Sequence, residues 1–192
     1  ILKTVLSAVV ILLSGSFTQL SAQYCTSGAN YTGDTEIDEV VLTGATMTIN
    51  NNTASTCATY TDNTGTDTAD FVLGGTYSIS VTTGKCGFSY YGRIHKVYID
   101  WNQDFDFDDA GEEVAVSPYF GYGGVPTAVV SSITVPASAL PGYTRMRVVT
   151  EETSSPSGVL PCGSYAWGET EDYTLQVKGY ANDIGLVSMT NP

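Results

Sequence analysis

Short runs rich in Val, Ile, Thr and Tyr recur along the chain, each bounded by Gly, Pro, Asn or Asp. Such runs are typical of β-strands, and no stretch after the first 22 residues sustains the apolar repeat of an amphipathic helix over about eleven residues. The pattern predicts seven strands, at residues 37–42, 45–49, 76–81, 93–101, 129–135, 144–150 and 172–177. This spacing predicts an all-β fold, an antiparallel β-sandwich of the jelly-roll or Ig-like kind over residues 23–178.

The alternation is clearest in residues 144–150. Met146 and Val148 fall on one face of this strand, and Arg145 and Arg147 fall on the other, because successive side chains of a strand point to opposite faces. The apolar pair is therefore expected in the core.

The two ends of the chain differ from this middle part. Lys3, the apolar run 5–13 and the small residues before Gln23 predict a signal peptide over residues 1–22, cleaved after Ala22. The apolar run is shorter than the ~20 residues that span a bilayer, so no membrane span is expected after cleavage. Residues 179–192 resemble a linker and the opening of a further domain. We therefore expect a secreted or cell-surface protein of several domains.

The charge balance excludes one class of partner. The chain has 7 Lys or Arg and 20 Asp or Glu, a net charge of -13, which becomes -14 once Lys3 is removed. Binding of nucleic acid requires clustered basic residues that displace counterions, and this sequence has no such cluster. Only 14% of residues are charged, against roughly 25% in an ordinary globular domain, which favours an extracellular β-rich protein.

Four cysteines, Cys25, Cys57, Cys86 and Cys162, are expected in an oxidising compartment. An even number predicts two disulfides, with three possible connectivities. A zinc site is poorly supplied, because no C-x-x-C motif occurs and His95 is the only histidine. The same shortage argues against a Ser-His-Asp or Cys-His hydrolase.

The most informative segment is an acidic loop, in which seven of the fourteen residues from Asp100 to Glu113 are Asp or Glu. Oxygen ligands at alternate positions are what a loop wrapped around Ca²⁺ supplies. The predicted ligands are Asp100, Asn102, Asp104, Asp106, Asp109 and Glu112, with Asp108 as a weaker candidate. Phe105 replaces the Gly that such loops use for a sharp turn, so either the turn is looser or Phe105 adopts a positive φ. The alternative is a solvated acidic hairpin without an ion.

Aromatic residues cluster shortly after this loop. Tyr119, Phe120 and Tyr122 are candidates for an exposed platform that stacks on a glycan or docks a partner protein. The alternative is that they pack in the core or within their own loop.

Five motifs in order resemble the GEVED domain: D-W-N-Q-D at 100–104, A-G-E-E at 110–113, I-T-V-P-A at 133–137, T-R-M-R-V at 144–148 and G-E-T-E-D-Y at 168–173. The resemblance extends over residues 24–177, with Thr170 where the family name has Val. It implies a β-sandwich module of large secreted or surface proteins of Bacteroidota-type bacteria, often beside metalloprotease, adhesin or Ig-like domains. It also implies the disulfides Cys25–Cys162 and Cys57–Cys86.

The last motif contains a second acidic group. Glu169 and Glu171 share one face of the predicted strand, and Asp172 lies on the other. Glu169 and Glu171 are weaker candidates for completing the calcium shell. The alternative is that these acids pair with arginines, namely Arg93, Arg145 and Arg147.

These patterns favour a non-catalytic extracellular calcium-binding module that supports adhesion or presents neighbouring domains of the same chain. A glycosidase needs one carboxyl group kept protonated in an apolar site, whereas the acids here come in runs. The alternative is a carbohydrate-binding or accessory module of a secreted hydrolase, either a metalloprotease or a glycosidase. The expected partners are the neighbouring domains and a surface glycan or protein.

Overall fold

The structure is a computed structural model that describes residues 23–180. The predicted signal peptide at 1–22 and residues 181–192 of the predicted linker lie outside the described residues. Within residues 23–180, no helix is long and apolar enough to cross a membrane.

The described residues form two facing β-sheets. The strands are β1 Ser27–Tyr31, β2 Thr35–Thr43, β3 Thr48–Asn52, β4 Tyr60–Asp62, β5 Thr68–Val72, β6 Thr76–Lys85, β7 Ile94–Ile99, β8 Glu113–Val116, β9 Val129–Thr134, β10 Gly142–Glu151 and β11 Gly163–Lys178. A single 3₁₀ turn, Pro156–Gly158, lies between β10 and β11. The predicted all-β sandwich is confirmed.

The smaller sheet is antiparallel, in the order β3-β2-β6-β9, and the larger has the path β1-β11-β10-β7-β8. The larger sheet is mixed, because β1, β4 and β5 all pair with β11 in parallel. The expectation of a purely antiparallel sandwich is corrected here. The 16 residues of β11 offer one edge to β10 along most of their length, and three short strands share the other edge.

The main core lies between the two sheets. Ile37, Val40 and Leu42 of β2 face Met146 and Val148 of β10, and all five side chains are buried. The predicted inward direction of Met146 and Val148 is confirmed.

A smaller apolar layer covers the outer face of the larger sheet. Ile94, Tyr98, Phe107, Val149 and Val159 are buried there, and Tyr24 packs against them. The N-terminal segment reaches this face because Cys25 is bonded to Cys162, as the family resemblance implied. Arg147 is buried in the same layer and is discussed below.

One predicted strand is displaced along the chain. Residues 45–49 were expected to pair, but β3 begins at Thr48. The buried Asp70 carboxylate accepts hydrogen bonds from the backbone N–H groups of Thr46 and Met47. Those two donors are thereby removed from the ladder, and the residues form a turn closed by a hydrogen bond from Gly44 N to the Met47 carbonyl oxygen.

Candidate metal site

The acidic loop connects β7 to β8, and two buried aromatic side chains anchor it: Trp101 packs in the main core, and Phe107 packs in the outer apolar layer. Trp101 and Phe107 are 5% and 4% exposed. The indole N–H of Trp101 donates to the carbonyl oxygen of Gly111 at 3.2 Å, which joins the start of the loop to its end. The loop is therefore anchored by burial of apolar area at both of these positions.

Asp100 organises the first turn of the loop and is fully buried. Its Oδ1 accepts the Gln103 N–H at 2.6 Å, and its Oδ2 accepts the Phe105 N–H at 3.1 Å. The Tyr24 hydroxyl donates to the same Oδ2 at 2.6 Å. Both oxygens thus already have partners, so Asp100 acts in this structure as the residue that closes the turn.

Two residues of the turn have left-handed backbone conformations, Gln103 with φ 58° and Phe105 with φ 75°. Of the two alternatives raised by Phe105 at a Gly position, the structure shows the positive φ. Such a conformation costs a non-Gly residue about 1–2 kcal/mol. The hydrogen bond to Asp100 and the contact of the Phe105 ring with Tyr24, at a centroid distance of 5.4 Å, offset that cost.

Glu112 braces the other end of the loop and is 2% exposed. Its carboxylate accepts the Trp101 N–H at 2.9 Å and the Asp109 N–H at 3.3 Å. Burial raises the pKa of Glu112 to about 7, despite the two hydrogen bonds, which favour the charged form. A cation beside this carboxylate would lower its pKa again.

The carboxylates of Asp104, Asp106 and Asp109 converge on one point. One oxygen from each lies within 4.8 Å of the other two. The Asn102 amide nitrogen donates to Asp104 at 2.9 Å and to Asp109 at 2.5 Å, so its partial positive charge lies between two carboxylates. Within residues 23–180, none of these three carboxylates forms an ion pair with Lys or Arg; the nearby Lys96 pairs with Glu113 at 2.8 Å.

The predicted ligand set therefore divides into two groups. Asn102, Asp104, Asp106 and Asp109 lie at the surface of the loop and surround one point, whereas Asp100 and Glu112 are buried and hold the backbone. The exposed Asp108 lies outside the convergent group, and its N–H donates to Asp106.

The second acidic motif lies on β11, away from the loop. Glu169 and Glu171 are fully buried on the inner face of the larger sheet. That they complete the loop's ligand shell stays a prediction, since both carboxylates have protein partners here. Glu169 accepts the Ile37 N–H at 2.9 Å and the Thr61 hydroxyl at 3.0 Å. Glu171 accepts the Thr53 hydroxyl at 2.9 Å and the Tyr173 hydroxyl at 2.7 Å. These partners belong to β2, the turn after β3, β4 and β11.

Neither of these two carboxyl groups has a basic partner within the described residues. Burial, followed by the neighbouring Glu171 carboxylate, raises the pKa of Glu169 to about 8. Burial raises the pKa of Glu171 to about 7. The carboxyl oxygens of both residues accept hydrogen bonds, but no positive charge within residues 23–180 balances the ionised form. These groups therefore favour the protonated form near neutral pH.

Asp172 points to the opposite face and pairs with arginine, as the alternative interpretation of this motif proposed. Arg147 donates two hydrogen bonds of 2.7 Å to its carboxylate, and Arg145 contacts it at 3.3 Å. Arg93, the third candidate, instead donates to Thr83 and to backbone carbonyls.

The remaining two cysteines are free thiols in the structure, not the second bridge that the family resemblance implied. Their sulfur atoms and one Glu36 oxygen all lie within 4.8 Å of one another. Glu36 accepts the backbone N–H groups of Ser55 and Cys57, two residues with positive φ. Burial, then the nearby Cys57 thiol and Glu36, raises the pKa of Cys86. Because the two sulfur atoms lie close together, the Cys57–Cys86 bridge stays a prediction.

The predicted aromatic platform is partly exposed. Tyr119 and Tyr122 are exposed, whereas Phe120 is half-buried with the Arg93 guanidinium 5.2 Å from its ring centroid. The sequence pattern missed Phe88, which is fully exposed, and Tyr91, whose ring meets Tyr122 edge-on at 5.8 Å. Their signal was the aromatic cluster in residues 88–91, immediately before β7.

Comparison with known proteins identifies one family. Residues 94–176, from β7 to β11, match the GEVED domain, which confirms the resemblance over the segment that contains both acidic motifs. No curated protein matches the chain. Among solved structures, the CARDB domain of a Pyrococcus furiosus protein, solved in complex with di-metal ions, is 10% identical with a TM-score of 0.36; the match covers 78% of this chain and 97% of that one. Similarity at this level defines neither a shared fold nor a shared site.

Proposed function

The chain carries a GEVED domain over residues 94–176, and from this premise we propose that it is a non-catalytic, calcium-binding module of a larger extracellular protein. The observation that carries the proposal is the convergence of the Asp104, Asp106 and Asp109 carboxylates without a basic partner in the described residues. In this role the module holds its acidic loop in order and presents neighbouring domains, or a binding surface, at the cell exterior.

The donor set fits a hard divalent cation. All candidate ligands are oxygen atoms, which Ca²⁺ and Mg²⁺ prefer, and no sulfur or imidazole lies in the group. Two carboxylates 4 Å apart repel each other by about 1 kcal/mol even in water. A bound cation would turn this repulsion among three carboxylates into attraction. The Asn102 side chain, now donating to two of them, would rotate to offer its Oδ1 instead.

The buried residues of the loop connect ion binding to stability. Asp100 and Glu112 hold the backbone on both sides of the convergent carboxylates, while Trp101 and Phe107 anchor the loop to the sheet. An ion that binds only the folded loop stabilises the folded state, by about 2.7 kcal/mol at a concentration one hundred times its Kd. Calcium would thereby stabilise the outer face of the sandwich.

The disulfide supports the extracellular assignment. The Cys25–Cys162 disulfide joins the N-terminal segment to β11, and such bonds persist in oxidising compartments. The sequence argues against a glycosidase because its acids come in runs and no single carboxyl group is isolated in an apolar segment. The non-catalytic role is therefore part of the proposal.

Calorimetric titration tests the calcium proposal. The chelator-treated protein should bind about one Ca²⁺ and melt at a higher temperature, whereas Asp106→Asn should weaken binding strongly, since it removes one of three converging charges. Glu113→Gln is the matched control, because it removes an acid from the same segment that pairs with Lys96 and lies outside the group. Absence of heat and of a thermal shift at millimolar Ca²⁺ would refute the proposal.

A carbohydrate-binding or protein-docking role is the second candidate. The observation that favours it is the exposed aromatic surface of Phe88, Tyr91, Tyr119 and Tyr122, which leaves large apolar rings in solvent. Such clusters commonly mark binding surfaces. A glycan array on the protein and on a Tyr119→Ala, Tyr122→Ala variant tests it; identical patterns for the two proteins would exclude this surface.

A further inference from the structure

A cavity, distinct from the acidic loop and from the exposed aromatic surface, lies over the outer face of β10. Its volume is about 250 Å³, and its walls include Tyr24, Tyr60, Arg145 and Arg147. It lies where the N-terminal segment crosses the sheet, held by the Cys25–Cys162 disulfide. Because the walls come from three separate parts of the chain, the cavity is formed by the fold and is not a property of a single loop.

The two arginines of the cavity differ in how completely their donors are used. Arg147 gives two hydrogen bonds to Asp172 and two more to the carbonyl oxygens of Cys25 and Pro161. Its side chain is 2% exposed. It is therefore a structural residue that fixes the N-terminal segment and the start of β11.

Arg145 has most of its donors free. Of its five N–H groups, the described residues accept one, in the 3.3 Å contact from Nη1 to Asp172. The Asp172 carboxylate also accepts two hydrogen bonds from Arg147 and one from the Tyr60 hydroxyl at 3.0 Å. The Arg145 side chain is 24% exposed, so its guanidinium edge reaches the cavity.

The position of Arg145 is set by stacking. Its guanidinium carbon lies 4.3 Å from the centroid of the Tyr24 ring. Tyr24 is itself fixed by its hydrogen bond to Asp100 and by stacking on Phe107 at 5.2 Å. A planar cation held flat in this way presents its free edge in one direction, which suits bidentate recognition of a carboxylate.

Two arginines and three aspartates, namely Asp62, Asp100 and Asp172, lie around the cavity, so what it offers an anion is the free donor edge of Arg145 and not a net positive charge. Asp172 is paired with both arginines, and Asp100 accepts hydrogen bonds from Tyr24 and Gln103. The positive charge of Arg145 also contributes to lowering the pKa of the exposed Asp62, after the hydrogen bond from Thr64. Asp62 accepts hydrogen bonds from Thr64 and none from the guanidinium. More distant acids are screened over about 8 Å at physiological salt.

We propose that this cavity binds the carboxylate of a uronic-acid residue in an acidic saccharide, with the Arg145 guanidinium as its recognition group. The cavity is smaller than the roughly 300–1,000 Å³ of a drug-sized site, which leaves room for one sugar residue. Tyr60 supplies a ring face, and Gln23 and Thr26 supply an amide and a hydroxyl that can hydrogen-bond sugar hydroxyls. A peptide carboxylate is less suited, because such groups are usually captured by backbone N–H groups.

The proposal does not depend on calcium binding and is tested by a pair of matched ligands. Methyl β-D-glucuronide and methyl β-D-glucoside differ only in a carboxylate against a hydroxymethyl group. In NMR titrations the glucuronide should shift the ring signals of Tyr24 and Tyr60 and bind at least about tenfold more tightly than the glucoside. Equal binding of the two, or no binding of either at tens of millimolar, would overturn the proposal.

Two variants and a control locate the recognition group. Arg145→Gln should abolish the preference for the glucuronide, and Arg145→Lys, which keeps the charge but loses the planar fork, should retain only part of it. Lys85→Gln removes one positive charge elsewhere, where Lys85 contacts the Phe88 carbonyl oxygen, and should leave binding unchanged. Unaltered binding by the folded Arg145→Lys and Arg145→Gln variants, or tighter binding of an acetylated dipeptide with a free carboxyl terminus at the same tyrosines, would contradict the assignment.

Discussion

The buried Glu169 carboxyl should make the protein less stable as the pH rises from about 5 to about 8. Its folded-state pKa is about 8, above the value near 4.3 of an exposed Glu. Between these two values the folded state binds more protons than the unfolded state. The stabilisation is therefore fully present below the unfolded pKa and is lost as the pH rises through the folded pKa.

The magnitude follows from the width of that window. Each pH unit inside it lowers the free energy of unfolding by about 1.4 kcal/mol for one such group, or about 3 kcal/mol from pH 5 to pH 7.5. Glu171, with a pKa raised to about 7, adds a further decrease over a narrower range. Asp70 affects the pH dependence in the opposite sense. Burial acts to raise its pKa, but the hydrogen bonds that it accepts from Lys178 and from two backbone N–H groups outweigh burial and lower it. Its contribution is lost at acidic pH, so stability should be greatest near pH 5.

Denaturant unfolding across this pH range, in the presence of a chelator, measures the effect. Glu169→Gln keeps the size of the side chain but cannot ionise, so it should flatten the pH dependence and stabilise the protein at pH 7.5. Glu39→Gln, which removes a partly exposed carboxyl from β2, serves as the control and should retain the wild-type slope. A stability that is level or rises from pH 5 to pH 8, or an unchanged slope in Glu169→Gln, would refute the reasoning.

Three further predictions concern the covalent and ionic links of the sandwich. Asp172→Asn should destabilise the fold by about 3–5 kcal/mol, because it leaves the buried Arg147 without its anionic partner; a thermal melt close to wild type would contradict this. Loss of the Cys25–Cys162 bridge, which spans 137 residues, should cost up to about 4–5 kcal/mol in the chain-entropy model, and an unchanged denaturation midpoint in a double Ser variant would argue against it. Non-reducing peptide mapping of the exported protein should find Cys57 and Cys86 joined, whereas alkylation of both thiols without reduction would disprove that pairing.

The strands that could be predicted from sequence are those whose alternation is local. In β6 and β10 the apolar residues face the main core at every second position, and in β2 they do so after a bulge between Ile37 and Glu39, so the strand pattern is visible in the sequence itself. The strands β4, with sequence YTD, and β5, with sequence TADFV, have no such pattern. They form because β11 offers a free edge far along the chain, which local periodicity cannot show.

The same distinction applies to the functional residues. The acidic loop is a contiguous motif, so its candidate ligands could be predicted, although the division between convergent Asp106 and turn-forming Asp100 required the fold. The cavity over Arg145 could not be predicted, because Tyr24 reaches it through a disulfide and Tyr60 through a parallel strand pairing. Likewise, Glu169 and Glu171 could be placed on one face of a strand, but their burial without a basic partner depends on the opposite sheet.

A crystal structure of the protein grown with Ca²⁺ tests the calcium proposal most directly. We expect one ion between Asp104, Asp106 and Asp109, with oxygen ligands at about 2.3–2.6 Å and with the Asn102 amide turned to present its oxygen. An acidic loop without an ion at millimolar Ca²⁺, or an ion bound instead at Glu169 and Glu171, would contradict the account.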